Sequence, residues 1–170
     1  MTIDESALRE SKRPRSILAG PYGHPFHALL ITIPIGAWTA SLVFDIVAGI
    51  TGDTEAFSRG AVWLIGIGIA GAVLAAITGL MDYSTLRRGT KAKRVALIHA
   101  GFNTVAIVLF SISLAVRIAH GYEDASVAGI VLSVVAILAV AVSGTLGGEL
   151  AYRYGIRVAD ETTQREAFSK

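Results

Sequence analysis

Two histidines stand where a cofactor could be held. His27 and His99 lie 72 residues apart, and each opens a stripe at alternating steps of four and three, the spacing of one helix face. The first stripe reads His27, Ile31, Pro34, Trp38, Ser41 and Asp45; the second reads His99, Asn103, Ala106, Phe110, Ser113 and Arg117. Imidazole binds haem iron and divalent metals without help from cysteine. Two imidazoles at equivalent positions of facing helices could therefore take a haem b between them. His24, Asp82 and Glu149 fall at the same end of their segments, so His24, His27, His99, Asp82 and Glu149 form a candidate metal cluster. His24 directly precedes Pro25 and lies almost one turn nearer water, which makes it secondary to His27 and His99. Against both cofactor readings stands the plain one, in which these histidines cap helix starts or bond the backbone and no cofactor binds.

The far ends of the stripes carry opposite charges, Asp45 and Arg117, each eighteen residues beyond its histidine. On parallel helices both lie about 27 Å from the histidine level, so the spacing predicts a buried ion pair between them. The alternative is that both reach the membrane interface.

The elements that must position these residues are membrane spans. The chain has 170 residues, 53% of them hydrophobic, with mean hydropathy +0.60, too apolar for an ordinary soluble domain of this size. Four apolar stretches are expected as helices, over about 25–50, 61–81, 95–120 and 127–149. Pro34 predicts a kink one turn earlier, around Leu30. Beside the stripes, Ala28/Ala100, Thr32/Thr104, Ile35/Ile107 and Leu42/Leu114 also match at 72, which marks an internal repeat. A weaker echo at 65 aligns Ile77-Thr78-Gly79-Leu80-Met81 with Val142-Ser143-Gly144-Thr145-Leu146, placing seven lost residues in a shorter loop. The expected fold is all-α: an integral membrane four-helix bundle, up-down-up-down, built from a tandem repeat of two-helix hairpins. Residues 21–155 form this domain, flanked by a polar tail over 1–20 without a packing stripe, expected to be flexible, and a polar tail over 156–170.

Charge sets orientation. Of the 15 Lys and Arg residues, 13 lie in the first tail, the middle loop and the stretch from Arg153 onward, so both termini are expected in the cytoplasm, with the protein in a bacterial inner membrane. The basic pI of about 9.1 follows from this bias, and nucleic acid is not an expected partner. Gly66-Ile67-Gly68-Ile69-Ala70-Gly71 matches a dinucleotide fingerprint by letter, but that motif needs a strand before it and a helix starting within it. Gly71, Ala75 and Gly79, like Ala136, Val140, Gly144 and Gly148, instead read as small-residue ridges for close helix packing. The chain has no cysteine, which removes disulfides and thiolate-ligated metals, and no nucleophile, base and orienting group fall into a catalytic pattern.

Several local runs resemble a family of bacterial predicted membrane proteins known as domain of unknown function 2231. They are Gly23-His24-Pro25-Phe26-His27, Pro34-Ile35-Gly36-Ala37-Trp38, Ser41-Leu42-Val43-Phe44-Asp45, Asp82-Tyr83, His99 with Asn103, and Gly147 through Gly155. The family typically has a second proline close after its first histidine pair, where Ala28 stands here. Some relatives are joined to Rieske iron-sulfur domains, so the resemblance implies redox company. Three functions follow as expectations: haem or metal held between helices for electron transfer in a larger assembly, a cofactor-free accessory subunit, and an ion or proton pathway. Partners consistent with them are the lipid bilayer, a redox or other membrane protein, and a second copy of the chain. Trp38 and Phe110 argue against an open pore, because both should fill the axis at one level.

Overall fold

The computed structural model describes residues 5–169, and all regular structure among them is helical. Its α-helices are α1 (Glu5–Lys12), α2 (Phe26–Leu30), α3 (Thr32–Thr51), α4 (Thr54–Thr85), α5 (Lys91–His120), α6 (Val127–Gly148) and α7 (Glu161–Glu166). Four stretches, Phe26–Thr51, Thr54–Thr85, Lys91–His120 and Val127–Arg153, are long and apolar enough to cross a membrane. Even the shortest, at 26 residues, would reach about 39 Å, beyond a hydrocarbon core of about 30 Å.

Local chemistry sets the ends. Pro34 has no N–H to offer the Leu30 carbonyl, and the first span is interrupted at Ile31, between α2 and α3, as the kink near Leu30 anticipates. Gly52, at φ 76°, ends α3 with its N–H on the Ala48 carbonyl. Helices α4 and α5 start earlier than hydropathy suggests because Asp53 Oδ1 accepts the Ala56 N–H (3.4 Å) and Thr90 Oγ1 accepts the Lys93 N–H (3.2 Å). A side-chain cap lets a helix begin among polar residues that a hydropathy scan assigns to the loop.

Helix α3 packs chiefly along α4, and α5 along α6, while contacts of α4 with α5 and of α3 with α6 close the ring. The contacts run antiparallel within each pair: His27, Trp38 and Phe44 meet Ala75, Ile65 and Gly60, and His99 and Ser113 meet Ser143 and Gly129. Across the ring, Trp38 and Phe110 stack face to face, 4.2 Å between centroids and 13° from parallel, with Ile65, Ala72 and Ala136 around them. The axis is filled at that level. Trp38 donates its Nε1–H to the Ile65 carbonyl (3.3 Å), and a Cβ at Gly68 would lie 2.3 Å from the same nitrogen. Gly68 is therefore a seat for Trp38, which accounts for part of the glycine run by packing.

The register of the second and fourth spans differs from the echo at 65. The buried residues Ser58, Ala61, Ile65, Gly68, Gly71 and Ala75 correspond, at a constant 68, to the buried Ser126, Gly129, Ser133, Ala136, Ala139 and Ser143. The buried faces thus align at 68, not at 65. Gly144 faces nothing within 4 Å of a would-be Cβ, whereas Gly147 faces His99, so the second ridge runs through Gly147. The letter match at 65 arose because runs of Gly, Ala, Ile and Val resemble one another at many offsets.

The tails are also more ordered than expected. Residues 5–12 form α1, and its Ser11 and Lys12 are buried. Lys12 Nζ pairs with Glu161 at 3.2 Å, the Arg157 N–H donates to the Ser11 carbonyl (3.0 Å), and the Asp160 N–H donates to Tyr22 Oη (2.7 Å). The two tails hold each other through backbone groups, which no hydrophobic pattern announces.

Candidate functional site

Each hairpin carries the same histidine mount. His27 Nδ1 bonds the Ala75 carbonyl at 2.8 Å, and a Cβ on Gly79, one turn further, would fall 2.8 Å from that nitrogen. His99 Nδ1 bonds the Ser143 carbonyl at 2.8 Å, and a Cβ on Gly147 would fall 3.2 Å from its Cε1. A carbonyl can only accept, so Nδ1 carries the proton in each neutral ring and Nε2 presents a lone pair. The two rings face each other edge to face, 6.1 Å between centroids and 82° between planes.

The two mounts are not chemically identical. Ser143 Oγ adds a contact to His99 Nδ1 (2.9 Å) where the first hairpin has Ala75. Asn103 Nδ2 donates to His99 Nε2 (3.0 Å) where the first stripe has Ile31. His99 is thus satisfied at both nitrogens. His27 Nε2 has no protein partner among the described residues.

Beside the pair lies a mostly apolar cavity of about 180 Å³, lined by His27, His99, Asn103, Asp82, Tyr83 and Arg157 among alanine and leucine side chains. Arg157 has φ 60°, and its guanidinium is buried. Its Nη2 donates to the carbonyls of Ala19 (2.9 Å) and Gly20 (3.0 Å). Its Nε sits 2.8 Å from Asp82 Oδ1, an ion-pair distance, yet the N–H is not aimed at that oxygen, and Nε, Nη1 and Oδ1 are all shielded without a hydrogen bond. Asp82 Oδ2 is not among the shielded atoms and has no hydrogen-bond partner among the described residues.

Of the five candidate metal ligands, His27, His99 and Asp82 line this cavity, and His24 and Glu149 do not. His24 Nδ1 contacts the Tyr22 carbonyl at 3.3 Å near the surface. Glu149 accepts a short hydrogen bond from Tyr154 Oη and lies 3.6 Å from Arg153. Among the described residues no three His, Asp or Glu side chains gather closely enough to hold a metal ion, so the five-residue cluster is not assembled. The sequence reading also missed Arg157, Ser143 and the two glycine seats. Arg157 resembles any other tail arginine in sequence, and only its place after Gly155 at a tight turn hints at a special backbone.

At the other end of the stripes, Arg117 donates from Nη1 and Nη2 to Asp45 Oδ1 and Oδ2, both at 2.7 Å. Arg117 Nε reaches Ser113 Oγ at 3.2 Å, and Nη2 reaches Ser133 Oγ at 3.4 Å. Both charged side chains are almost wholly enclosed, at 4% and 6% exposure.

Among curated proteins and among solved structures no match to this chain was found. A family model described as predicted membrane protein (DUF2231) matches residues 23–160, a span that includes both histidine mounts, Asp82 and Arg157. The chain belongs to that family of predicted membrane proteins.

Proposed function

We propose that the chain is a tandem duplication of a two-helix hairpin, forming an up-down-up-down bundle in a bacterial inner membrane, and that His27 and His99 are its ligand-binding centre. The observation that carries this reading is the repeated mount: a carbonyl and a glycine one turn apart hold each imidazole by Nδ1, and His27 Nε2 is left without a partner among the described residues. Anchoring of Nδ1 by a backbone carbonyl is the outer-shell arrangement that orients imidazoles toward a metal or haem iron. The basic tails and middle loop support cytoplasmic termini. Electron transfer within a larger membrane assembly is the function this centre suits.

The nitrogen pair fits haem b better than it fits a divalent metal, which would need further ligands that His24 and Glu149 do not supply. Space is the obstacle to haem. A cavity of about 180 Å³ is smaller than a macrocycle, and Asn103 occupies His99 Nε2, so haem requires the hairpins to part and the amide to turn away. Protein purified in mild detergent, examined by absorption and native mass spectrometry with metal analysis, tests the centre. A copurifying ligand lost in His27→Ala and His99→Ala supports it, and a Soret band lost in both identifies haem b. A ligand retained in full by both variants overturns it.

The Asn103 bond favours a second reading, a cofactor-free accessory subunit in which the histidines lock the hairpins together. Under that reading the purified protein carries nothing, and His99→Ala lowers thermal stability without any spectral change.

A further inference from the structure

We propose that the cavity between His27 and Asp82 binds the ring of a hydroquinone, a single aromatic ring with a hydroxyl at each end. The inference rests on the reading of His27 as a ligand-binding residue, but it uses a different ligand, since one nitrogen lone pair cannot serve iron and a ring hydroxyl together.

Size comes first. A cavity of about 180 Å³ compares with the roughly 150 Å³ engineered cavity that accepts benzene. Ala28, Ala76, Leu80, Ala100, Leu150 and Ile156 give it walls without hydrogen-bonding side chains. One ring fits there, and a macrocycle does not.

Polarity then selects among rings. Two lining atoms that are not shielded lack a hydrogen-bond partner among the described residues, and both are acceptors; the unpaired Arg157 Nε and Nη1 and Asp82 Oδ1 are shielded. His27 Nε2 offers a lone pair because Nδ1 gives its proton to the Ala75 carbonyl, and Asp82 Oδ2 belongs to a carboxylate, nine-tenths buried as a residue, whose other oxygen faces Arg157. A ligand that satisfies both must donate at two places. Asp82 is already charge-balanced by Arg157, so a neutral O–H suits this site, and an ammonium would meet little net negative charge. A phenol has one donor, an oxidised quinone has none, and a hydroquinone has two. The cavity should therefore hold the reduced ring and reject the oxidised one, because an acceptor facing a buried acceptor leaves both unpaired. The ring could come from a lipid-soluble quinol of the bilayer or from a free phenolic compound.

The test measures dissociation constants of hydroquinone, 4-methoxyphenol and 1,4-dimethoxybenzene for the full-length detergent-purified chain under argon, by equilibrium dialysis. The series keeps the ring and removes one donor at a time. Each lost hydroxyl should weaken binding by about fivefold to tenfold. Asp82→Asn and His27→Ala should each flatten the series, and Ala100→Phe, which fills the cavity, should abolish it. Equal affinity for the three probes in the unaltered chain, or binding untouched by Ala100→Phe, overturns the proposal even if a polar variant fails to fold. In nanodiscs, decyl-hydroquinone binding more tightly than its partitioning explains assigns the ring to a membrane quinol, and no such gain assigns it to a free phenolic compound. A haem lost in His27→Ala alongside an unselective probe series sinks the hydroquinone alone. A selective series in a chain that copurifies nothing sinks the copurifying centre alone.

Discussion

Arg117 and Asp45 differ from every other pair of equivalent stripe positions in carrying opposite charges, and their surroundings explain why each needs the other. Both are enclosed, and the two serine hydroxyls beside Arg117 occupy donors that the carboxylate leaves free. Removing one partner strands a charge in a low-dielectric interior, which typically costs about 3–5 kcal/mol, whereas removing both strands none. Asp45→Asn and Arg117→Gln should therefore each lower detergent-state thermal stability strongly, and the double substitution should lose clearly less than the two losses combined. Simple additivity would mean the residues do not interact. The pair could be read in advance because equal spacing from two histidines fixes equal depth on parallel helices. Arg157 could not, since its burial depends on carbonyls of Ala19 and Gly20 more than 130 residues away.

At the scale of helices, the inward face of the first and third spans was legible, and that of the second and fourth was not. The stripe in α2, α3 and α5 carries polar residues at both ends and an aromatic ring in its middle, so its periodicity stands out from the apolar background, and the Trp38–Phe110 stack follows from it. Helices α4 and α6 are apolar all round, with small residues on several faces, and hydropathy cannot say which of them meets the partner helix. Contacts resolve this: Gly79 and Gly147 seat the histidines, while Gly144 meets nothing. Gly79→Ala should push His27 off the Ala75 carbonyl and destabilise the bundle, with Gly147→Ala milder because its contact is longer. Gly144→Ala should be neutral or stabilising by up to about 1 kcal/mol through helix propensity. Thermal unfolding in detergent separates the registers. A Gly144→Ala loss larger than that of Gly147→Ala would restore the offset of 65.

For the molecule as a whole, the joined tails lie over the end of the bundle that contains His27 and His99. Arg157 is the joint: it touches the Ser11, Ala19 and Gly20 carbonyls and pairs with Asp82 on the cavity wall. Entry to the cavity from this end therefore involves the tails. Their hold also depends on carboxylates outside the spans. The Thr163 backbone N–H keeps the Asp160 carboxyl below its ordinary value of 3.8, and the Glu161 carboxyl is held below 4.5 by its own backbone N–H and then by Lys12. A carboxyl whose folded-state pKa is depressed stabilises the folded form above its unfolded value, and that contribution disappears as pH falls through the folded value. The tail contacts should thus be constant from neutral pH down to about 5 and loosen progressively below 4.5, the ordinary glutamate value. Hydrogen exchange over residues 5–19, corrected for intrinsic rates, measures this directly. Protection should fall with acid in the unaltered chain, fall less steeply in Glu161→Gln, and be lower at every pH in Arg157→Gln, where the guanidinium contacts to Ala19, Gly20 and Asp82 are gone. Protection in Arg157→Gln equal to that of the unaltered chain would mean that the tails are held by something other than this residue.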